Sequence, residues 1–341
     1  MRIIRRLFIL VPLVLALSAA TATTAFAAKS SYILATATPG GTFYPVGVGL
    51  ASLTKVKLEP QTGISLSAIS TAGSGENIKL LREKQAQFAI LQGVFGAWAW
   101  EGEGRLANAG PQKQLRSITM LWSNVEHFVV RSNKANSGTI EDMQNLEGDR
   151  FSIGRRNSGT EGSGTTLLTN LGFDVEADFD LMHQGYEGSA NALQNGVISG
   201  MNTPGGVPVS AVTRAYAAMG DDVGVLDFTD AQMDKANGKY SLWTRYEIPA
   251  DTYPNQDEAI NTIAQPNFLV ANADVSEEDV YKITKAIYEN LPFLKSVHKA
   301  TQVMSVERAL DGLPVPLHPG AARYFREQGV EIPSHLQPPD A

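Results

Sequence analysis

The chain has 341 residues, of which 43% are hydrophobic, and it contains no cysteine. The lack of cysteine excludes zinc–thiolate sites, cysteine nucleophiles, disulfides and a lipid anchor on an N-terminal cysteine. The formal net charge of −7 argues against a nucleic-acid-binding protein, because such proteins use clusters of Lys and Arg to neutralise phosphates.

The N-terminus has the pattern of a signal peptide. Three arginines among the first six residues precede the apolar stretch Leu7–Leu17, which is too short to span a bilayer. Ala25-Phe26-Ala27 supplies the small residues of a cleavage site. We predict that residues 1–27 are a signal peptide cleaved near Ala27 and that the protein is exported to the periplasm without a lipid anchor. Cleavage would change the formal net charge from −7 to −10 and leave about 314 residues, enough for two domains.

Short β-like runs alternate with amphipathic helices along the rest of the chain, which predicts an α/β fold with helices on both faces of parallel sheets. The first predicted strands are residues 31–36, 64–69 and 88–91. One helix begins near Pro45 after the first strand, and a second, capped by Ser74, follows the second strand.

A second set of elements begins near His127. Its predicted strands are residues 127–130, 151–153 and 223–228, and a helix covers residues 187–195. Later in the chain, Ser276 is predicted to cap a long helix. The last helix is predicted to begin near Pro319.

Three loops share one design, in which a strand ends, small residues turn the chain and a helix begins. They are Thr38–Thr42, Ala72–Gly75 and Asn157–Gly164. Helix N-termini expose unpaired N–H groups and the positive end of the dipole, and glycine lets a ligand approach the backbone closely. In open α/β sheets such loops lie at the carboxyl ends of strands, where ligands bind. The loops predict a carboxylate or phosphate site; the alternative is that they only form turns and helix caps.

Polar side chains near these loops are candidates for further ligand contacts. Tyr44, Asn77 and Gln92 lie at or just after predicted strand ends. Arg155 and Arg156 precede the third loop, and either of them could pair bidentately with a carboxylate. The alternative for the two arginines is a pair of solvated surface charges.

Motifs of nucleotide binding and catalysis are missing from the sequence. The position of the Walker lysine holds Thr160 or Thr165, depending on which glycine begins the loop. Gly73-Ser74-Gly75 lacks the third glycine of a dinucleotide fingerprint. The chain has no G-x-S-x-G or H-E-x-x-H motif, and its five histidines lack metal-ligand spacing. We predict no catalytic residue, no metal ligand and no cofactor.

Seven stretches, in order over nearly the whole chain after residue 27, resemble the TAXI-type receptors of tripartite ATP-independent periplasmic (TRAP) transporters. They are Ala37–Gly47 (ATPGGTFYPVG), Gly73–Leu81 (GSGENIKLL), Phe88–Gln92 (FAILQ), Asn157–Glu161 (NSGTE), Glu187–Gly196 (EGSANALQNG), Pro249–Asp257 (PADTYPNQD) and Gly312–Glu327 (GLPVPLHPGAARYFRE). The resemblance implies a two-lobed type II periplasmic-binding-protein fold with the ligand cleft between the lobes. The chain is expected to cross between lobes near residues 121–126 and 260–267. The implied lobes are residues 28–122 plus 262–341, and residues 123–261.

The same resemblance implies a ligand, a site and a partner. Known ligands of such receptors include glutamate-like and other small carboxylates. The family's site carries over to Gly41, Thr42, Tyr44, Ser74, Asn77, Gln92, Ser158, Gly159, Thr160 and Glu161. The implied partners are a small and a large integral membrane subunit of a transporter driven by an ion gradient, and the receptor is expected to be a monomer.

From these features we predict a receptor that closes its two lobes over a small anion and delivers it to a TRAP transporter. One alternative is a receptor of the same fold that serves an ATP-driven importer. The others are an exported enzyme and a surface adhesin or immunogen without a role in transport.

Overall fold

A computed structural model describes residues 29–239 and 241–339 of the chain. The predicted signal peptide lies outside the described residues. Across the two described segments, each helix is too short or too polar to cross a membrane.

The strands of the described residues form two sheets, one of six strands and one of five. In chain order they are β1 (Ser30–Ala35), β2 (Ile64–Ile69), β3 (Phe88–Gln92), β4 (Leu115–Val125), β5 (Phe128–Arg131), β6 (Arg150–Ser152), β7 (Asp180–Met182), β8 (Gly200–Asn202), β9 (Val223–Val225), β10 (Thr244–Ile248) and β11 (Ile260–Asn272).

Helices alternate with most of these strands. They are α1 (Phe43–Lys57), α2 (Glu59–Thr62), α3 (Ser74–Arg82), α4 (Gly93–Glu101), α5 (Gly159–Leu171), α6 (Val175–Asp178), α7 (Tyr186–Gln194), α8 (Ser210–Met219), α9 (Asp230–Asn237), α10 (Glu277–Glu289), α11 (Leu291–Val297) and α12 (Pro319–Glu327). Short 3-10 helices connect some of them, including Gly104–Ala109 after α4.

In the six-stranded sheet, parallel strands lie in the order β3-β1-β2, and antiparallel β11 continues the sheet beyond β3 and also pairs with β10 and β4. Every residue of β3 is buried. Its sequence, FAILQ, is the nearly continuous apolar run expected of a strand covered on both faces.

The five-stranded sheet has the order β7-β6-β8-β5-β9. β6 pairs in parallel with β7 and β8, whereas β5 pairs antiparallel with β8 and β9. Phe128, Phe151 and Phe228 form part of its core, with ring centroids of Phe128 6.4 Å from Phe151 and 6.1 Å from Phe228. The mixed α/β class with two sheets confirms the predicted fold class.

The long antiparallel strands β4 and β11 reach from the six-stranded sheet to the five-stranded one. Val125, at the end of β4, exchanges two backbone hydrogen bonds with Gly205, which follows β8. Asn261, at the start of β11, accepts a hydrogen bond from the backbone of Phe228. Val125 and Asn261 belong to the two predicted crossings, residues 121–126 and 260–267. The exact lobe limits, residues 28–122 plus 262–341 and 123–261, stay a prediction.

Three element boundaries differ from the predictions for local reasons. α1 begins at Phe43, so Pro45 occupies the first turn, where an amide has no helical partner. β9 ends at Val225, although the Leu226 amide still donates to Phe128 O of β5, and the Asp227 amide then turns to Gly138 O. Gly73 rather than Ser74 is the N-cap of α3. The Ser276 cap of α10 is confirmed by its hydrogen bond from the Asp279 amide.

Candidate functional site

A small cavity lies where loops at the carboxyl ends of strands from both sheets meet. The volume of the cavity that a water-sized molecule can reach is about 40 Å³. The six-stranded sheet contributes the loops after β1 and β2 and the end of β3, the five-stranded sheet contributes the loops after β6, β7 and β8, and β4 contributes one residue. The lining residues are Ala37, Thr38, Gly41, Thr42, Phe43, Ala72, Gly73, Ser74, Gln92, Asn124, Arg155, Ser158, Gly159, Thr160, Gln184, Gly185, Tyr186 and Pro204.

The strand order of each sheet explains why the cavity forms here. The order reverses between β1 and β3 in one sheet and between β6 and β8 in the other. At such a reversal the loops leave the sheet edge in opposite directions and open a crevice, which is the usual ligand site of open α/β sheets. Both crevices open onto the same cavity.

Three of the helix N-termini at the cavity follow the predicted glycine-rich loops. Gly41–Phe43 lead into α1, Gly73 and Ser74 into α3, and Ser158–Thr160 into α5. The N-caps of α4 and α7, Gln92 and Gly185, also line the cavity. The first amides of a helix have no partner within that helix and lie at the positive end of its dipole. In α5 the Ser158 hydroxyl accepts from the Glu161 amide at 3.0 Å. The amides ahead of Glu161 therefore suit an anion in the cavity.

Gly73 allows α3 and α5 to approach each other at the cavity. Its φ of 126° lies in the left-handed region that favours glycine. A Cβ atom at this position would lie 3.4 Å from the backbone nitrogen of Gly159. Any other residue here would meet both backbone strain and the start of α5.

Among the described residues that line the cavity, Arg155 is the one charged residue. Arg155 follows β6 and is exposed, and it also lines a neighbouring surface groove together with Arg156. No Asp or Glu is among the lining residues of the described chain. The lining therefore offers an anion one cationic residue and several helix N-termini, and no acidic side chain that would repel it.

Three side-chain amides in the lining have a buried polar atom without a hydrogen-bond partner among the described residues. These atoms are Gln92 Oε1, Asn124 Nδ2 and Gln184 Nε2. A buried polar atom without a partner costs free energy.

Eight of the predicted site residues line the cavity, and four do not. Those that do are Gly41, Thr42, Ser74, Gln92, Arg155, Ser158, Gly159 and Thr160. Tyr44, Asn77, Arg156 and Glu161 lie outside the lining. Tyr44 is half-buried one residue into α1, and Arg156 points into a separate surface groove beside Lys79 and Arg82.

Asn77 is buried among strand ends instead of facing the cavity. Its Nδ2 donates to Thr36 O at 2.7 Å and to Ile90 O at 2.9 Å, and its Oδ1 accepts from Thr71 Oγ1 at 2.7 Å. Asn77 therefore ties the ends of β1 and β3 together. Ser74, predicted as a cap, has a comparable role, since its Oγ accepts from the Gln92 amide at 3.1 Å.

Glu161 is held by groups outside the cavity. Its carboxylate lies 3.2 Å from Arg105 Nη1 in the 3-10 helix after α4, and accepts from the Asn157 amide at 2.8 Å. Its acidic side chain would repel a carboxylate, so its position away from the lining agrees with an anion site.

Asn124 and Gln184 were not predicted from the sequence. Asn124 comes from β4, where it is a polar residue in the largely apolar run 118–125 within a predicted crossing. That break in the apolar pattern is the one sequence signal that pointed to it. Gln184 lies in the short loop between β7 and α7, a loop without a glycine-rich pattern at that position.

Loops from the two sheets also bond directly to each other around the cavity. Thr42 Oγ1 donates to Gly206 O and accepts from Gly206 N. The Glu76 amide donates to Asn157 O at 3.0 Å, and the Ala211 amide donates to Gly40 O at 3.3 Å. These contacts are those of a closed cleft. No cluster of His, Asp and Glu side chains in residues 29–239 and 241–339 could hold a metal ion.

Comparison with known proteins identifies the family. The sequence profile of the NMT1-like family matches residues 34–329. The chain belongs to the NMT1-like family. The match covers the cavity lining and both sheets.

Solved structures share the fold. MatC from Rhodopseudomonas palustris, with bound malate, is 13% identical, with 87% of this chain and 98% of that chain covered and a TM-score of 0.53. The periplasmic aliphatic sulphonate binding protein SsuA from Escherichia coli is 13% identical, with 87% and 83% covered and a TM-score of 0.44. A binding protein component of an ABC phosphonate transporter from Pseudomonas aeruginosa is 13% identical, with 80% of each chain covered and a TM-score of 0.47. The chain shares its fold with MatC.

Proposed function

We propose that this NMT1-like protein is a periplasmic receptor that captures a small carboxylate and delivers it to a membrane transporter. The convergence of three helix N-termini and Arg155 on one cavity without an acidic lining residue carries this proposal. Nothing in the lining would neutralise a cation, whereas several donors would surround an anion.

A carboxylate fits this site because it only accepts hydrogen bonds and offers about four lone-pair positions. Helix-terminal amides and the hydroxyls of Ser158 and Thr160 can donate to it. Hydrogen bonds to a charged group contribute about 1.5–3 kcal/mol each.

Capture is proposed to proceed by closure. The contacts between loops of the two sheets, such as Thr42 with Gly206, form only when the two sides of the cleft meet. A solute stabilises the closed form by as much as it binds that form more tightly than the open one. A carboxylate bridging α1, α3 and α5 meets this condition, because α5 lies on the opposite side from α1 and α3.

We propose that the receptor delivers its solute to a TRAP transporter. The ordered TAXI-like stretches and the predicted signal peptide support this proposal. MatC, of similar fold and solved with malate, supports a carboxylate as cargo. An ATP-driven importer is the second candidate, because one binding protein of this fold is a component of an ABC transporter. Uptake by proteoliposomes that carry the cognate membrane subunits distinguishes the two candidates: an ion gradient should drive uptake through a TRAP transporter, and ATP should drive uptake through an importer of the second kind.

The test of the anion site uses two neighbouring arginines. Arg155 lines the cavity and Arg156 does not, so Arg156→Ala is the matched control for Arg155→Ala. We expect small carboxylates to raise the melting temperature of the wild type, and Arg155→Ala to weaken their binding about tenfold in calorimetry. Arg156→Ala should bind within about twofold of the wild type. Stabilisation by neutral sugars or by cationic amines, with carboxylates inert, contradicts the proposal.

A further inference from the structure

Arg105 connects the two sides of the cleft next to the cavity. It lies in the 3-10 helix Gly104–Ala109, which follows α4 on the side of the six-stranded sheet, and it contacts α5 on the other side. Its Nη1 lies 3.2 Å from Glu161 Oε2, and its Nη2 donates to Thr165 Oγ1 at 3.1 Å. One guanidinium group thus binds two side chains that lie four residues apart on one face of α5.

The start of α5 packs closely against the same segment. A Cβ atom on Gly162 would clash with the Phe95 ring of α4 and would lie 3.4 Å from Arg105 Cδ. A second ion pair also links the segment to the side of the five-stranded sheet, because Lys239 Nζ, after α9, donates to Glu103 Oε2 at 2.6 Å. Residues 103–105 therefore reach across the cleft at two points.

Glu161 opposes the binding of an anion at the N-terminus of α5. It lies in the first turn, where a carboxylate offsets the positive end of the helix dipole. Its Oε2 accepts from the Asn157 amide at 2.8 Å, and Asn157 directly precedes the lining residue Ser158. The negative charge therefore lies within about 10 Å of Ser158. Salt screens partly buried charges at this distance only incompletely.

Arg105 supplies the counter-charge to this carboxylate. Among the described residues, it is the one lysine or arginine in contact with Glu161, and His183 Nδ1 lies 3.6 Å from the other carboxylate oxygen. The side chain of Glu161 is 9% exposed and that of Arg105 is 39% exposed. Water therefore weakens this ion pair less than it weakens a pair of fully exposed charges.

We infer that Arg105 is a positioning residue of the anion site, which pairs with Glu161 across the cleft and so removes the repulsion between that carboxylate and the solute. The inference rests on the proposed function, because it assumes that the cavity takes a carboxylate. Arg105 and Glu161 belong to opposite sides of the cleft, so closure brings the counter-charge to α5 together with the solute. Binding and closure are thereby coupled.

The experiment is titration calorimetry of the full mature chain. The probes are acetate, malate and glutamate, and the series uses the one that raises the melting temperature most. Arg105→Met keeps the apolar stem and removes the charge, so we expect the dissociation constant to rise about tenfold. The double variant Arg105→Met with Glu161→Gln should bind within about threefold of the wild type, because no uncompensated carboxylate remains beside α5. A link with a purely structural role would not be restored by this second change.

Arg308→Met is the matched control. Arg308 Nε also lies 3.2 Å from a carboxylate oxygen, that of Asp311, but neither residue lines the cavity. The variant changes the net charge by the same amount and should bind within about twofold of the wild type.

Wild-type affinity in Arg105→Met, or a double variant that binds no more tightly than Arg105→Met, would overturn the role of Arg105 and leave the carboxylate receptor standing. Glu161→Gln alone provides a test that does not depend on the folding of the arginine variants. It should bind at least as tightly as the wild type, and weaker binding would overturn the inference. Failure of all three probes to bind the wild type would overturn the proposed function and this inference with it.

Discussion

Thr42 and Gly206 hold opposite sides of the cleft together through two hydrogen bonds, 3.2 Å from Thr42 Oγ1 to Gly206 O and 2.9 Å from Gly206 N to Thr42 Oγ1. Thr42 is 2% exposed and begins α1, whereas Gly206 follows β8. One hydroxyl thus satisfies both backbone groups of Gly206.

Thr42→Val should therefore weaken solute binding without unfolding the protein. The variant leaves Gly206 N and O unpaired on closure, which costs about 1–3 kcal/mol and shifts the cleft toward open forms. We expect affinity for the best carboxylate to fall about tenfold in calorimetry. Thr166→Val is the control, because the Thr166 hydroxyl bonds within α5 to Gly162 O. Equal affinities of the two variants would show that the Thr42 contact does not stabilise closure.

Glu126 predicts a dependence of stability on pH. Burial raises the pKa of its carboxyl group from 4.5 to about 7, although Trp243 Nε1 and Asn202 Nδ2 donate to it. Between about pH 4.5 and 7 the native state keeps a proton that the unfolded state has lost. The contribution of Glu126 to the free energy of unfolding therefore falls as pH rises through this range, by about 3 kcal/mol in total.

Glu126→Gln removes this loss. The free energy of unfolding of the variant minus that of the wild type, from urea titrations, should increase by about 3 kcal/mol from pH 4.5 to 7. Burial lowers the pKa of the neighbouring His127 to about 4, but His127 is present in both proteins and cancels in the difference. Glu247→Gln, at an exposed position on β10, is the control. A difference that does not vary with pH would contradict the buried, protonated state of Glu126.

Gly73 and Gly138 compare backbone strain at the cavity with backbone strain away from it. Both have φ in the left-handed region, 126° and 75°, but only Gly73 lines the cavity. Each substitution by alanine should cost about 1–2 kcal/mol of stability. Only Gly73→Ala should also weaken carboxylate binding, because relief of its strain would displace the first amides of α3 beside the cavity. Unchanged affinity in Gly73→Ala would remove α3 from the site.

Local sequence patterns predicted the parts of the site that are formed by residues adjacent in the chain. The glycine-rich loops before α1, α3 and α5 were found because a strand end, small residues and a helix start are adjacent in sequence. Their convergence on one cavity depends on strand order, and the resemblance to TAXI-type receptors supplied that expectation. The composition alone did not indicate it.

The residues that were missed or misplaced depend on tertiary contacts. Asn124 reaches the cavity from β4, and Gln184 from the loop after β7, and neither is near a predicted loop in sequence. Asn77 is one turn into α3, at a position whose side chain turns back toward β1 and β3 rather than toward the cavity. Which way such a side chain points depends on neighbouring strands, and a single sequence does not encode that in a local motif.

The most direct measurement of the central claim is a crystal structure of the mature protein with a small carboxylate that raises its melting temperature. The account predicts the carboxylate at the N-termini of α1, α3 and α5, within hydrogen-bond distance of their first amides. A solute bound elsewhere, or a neutral or cationic molecule retained in this cavity in place of the acid, would contradict it.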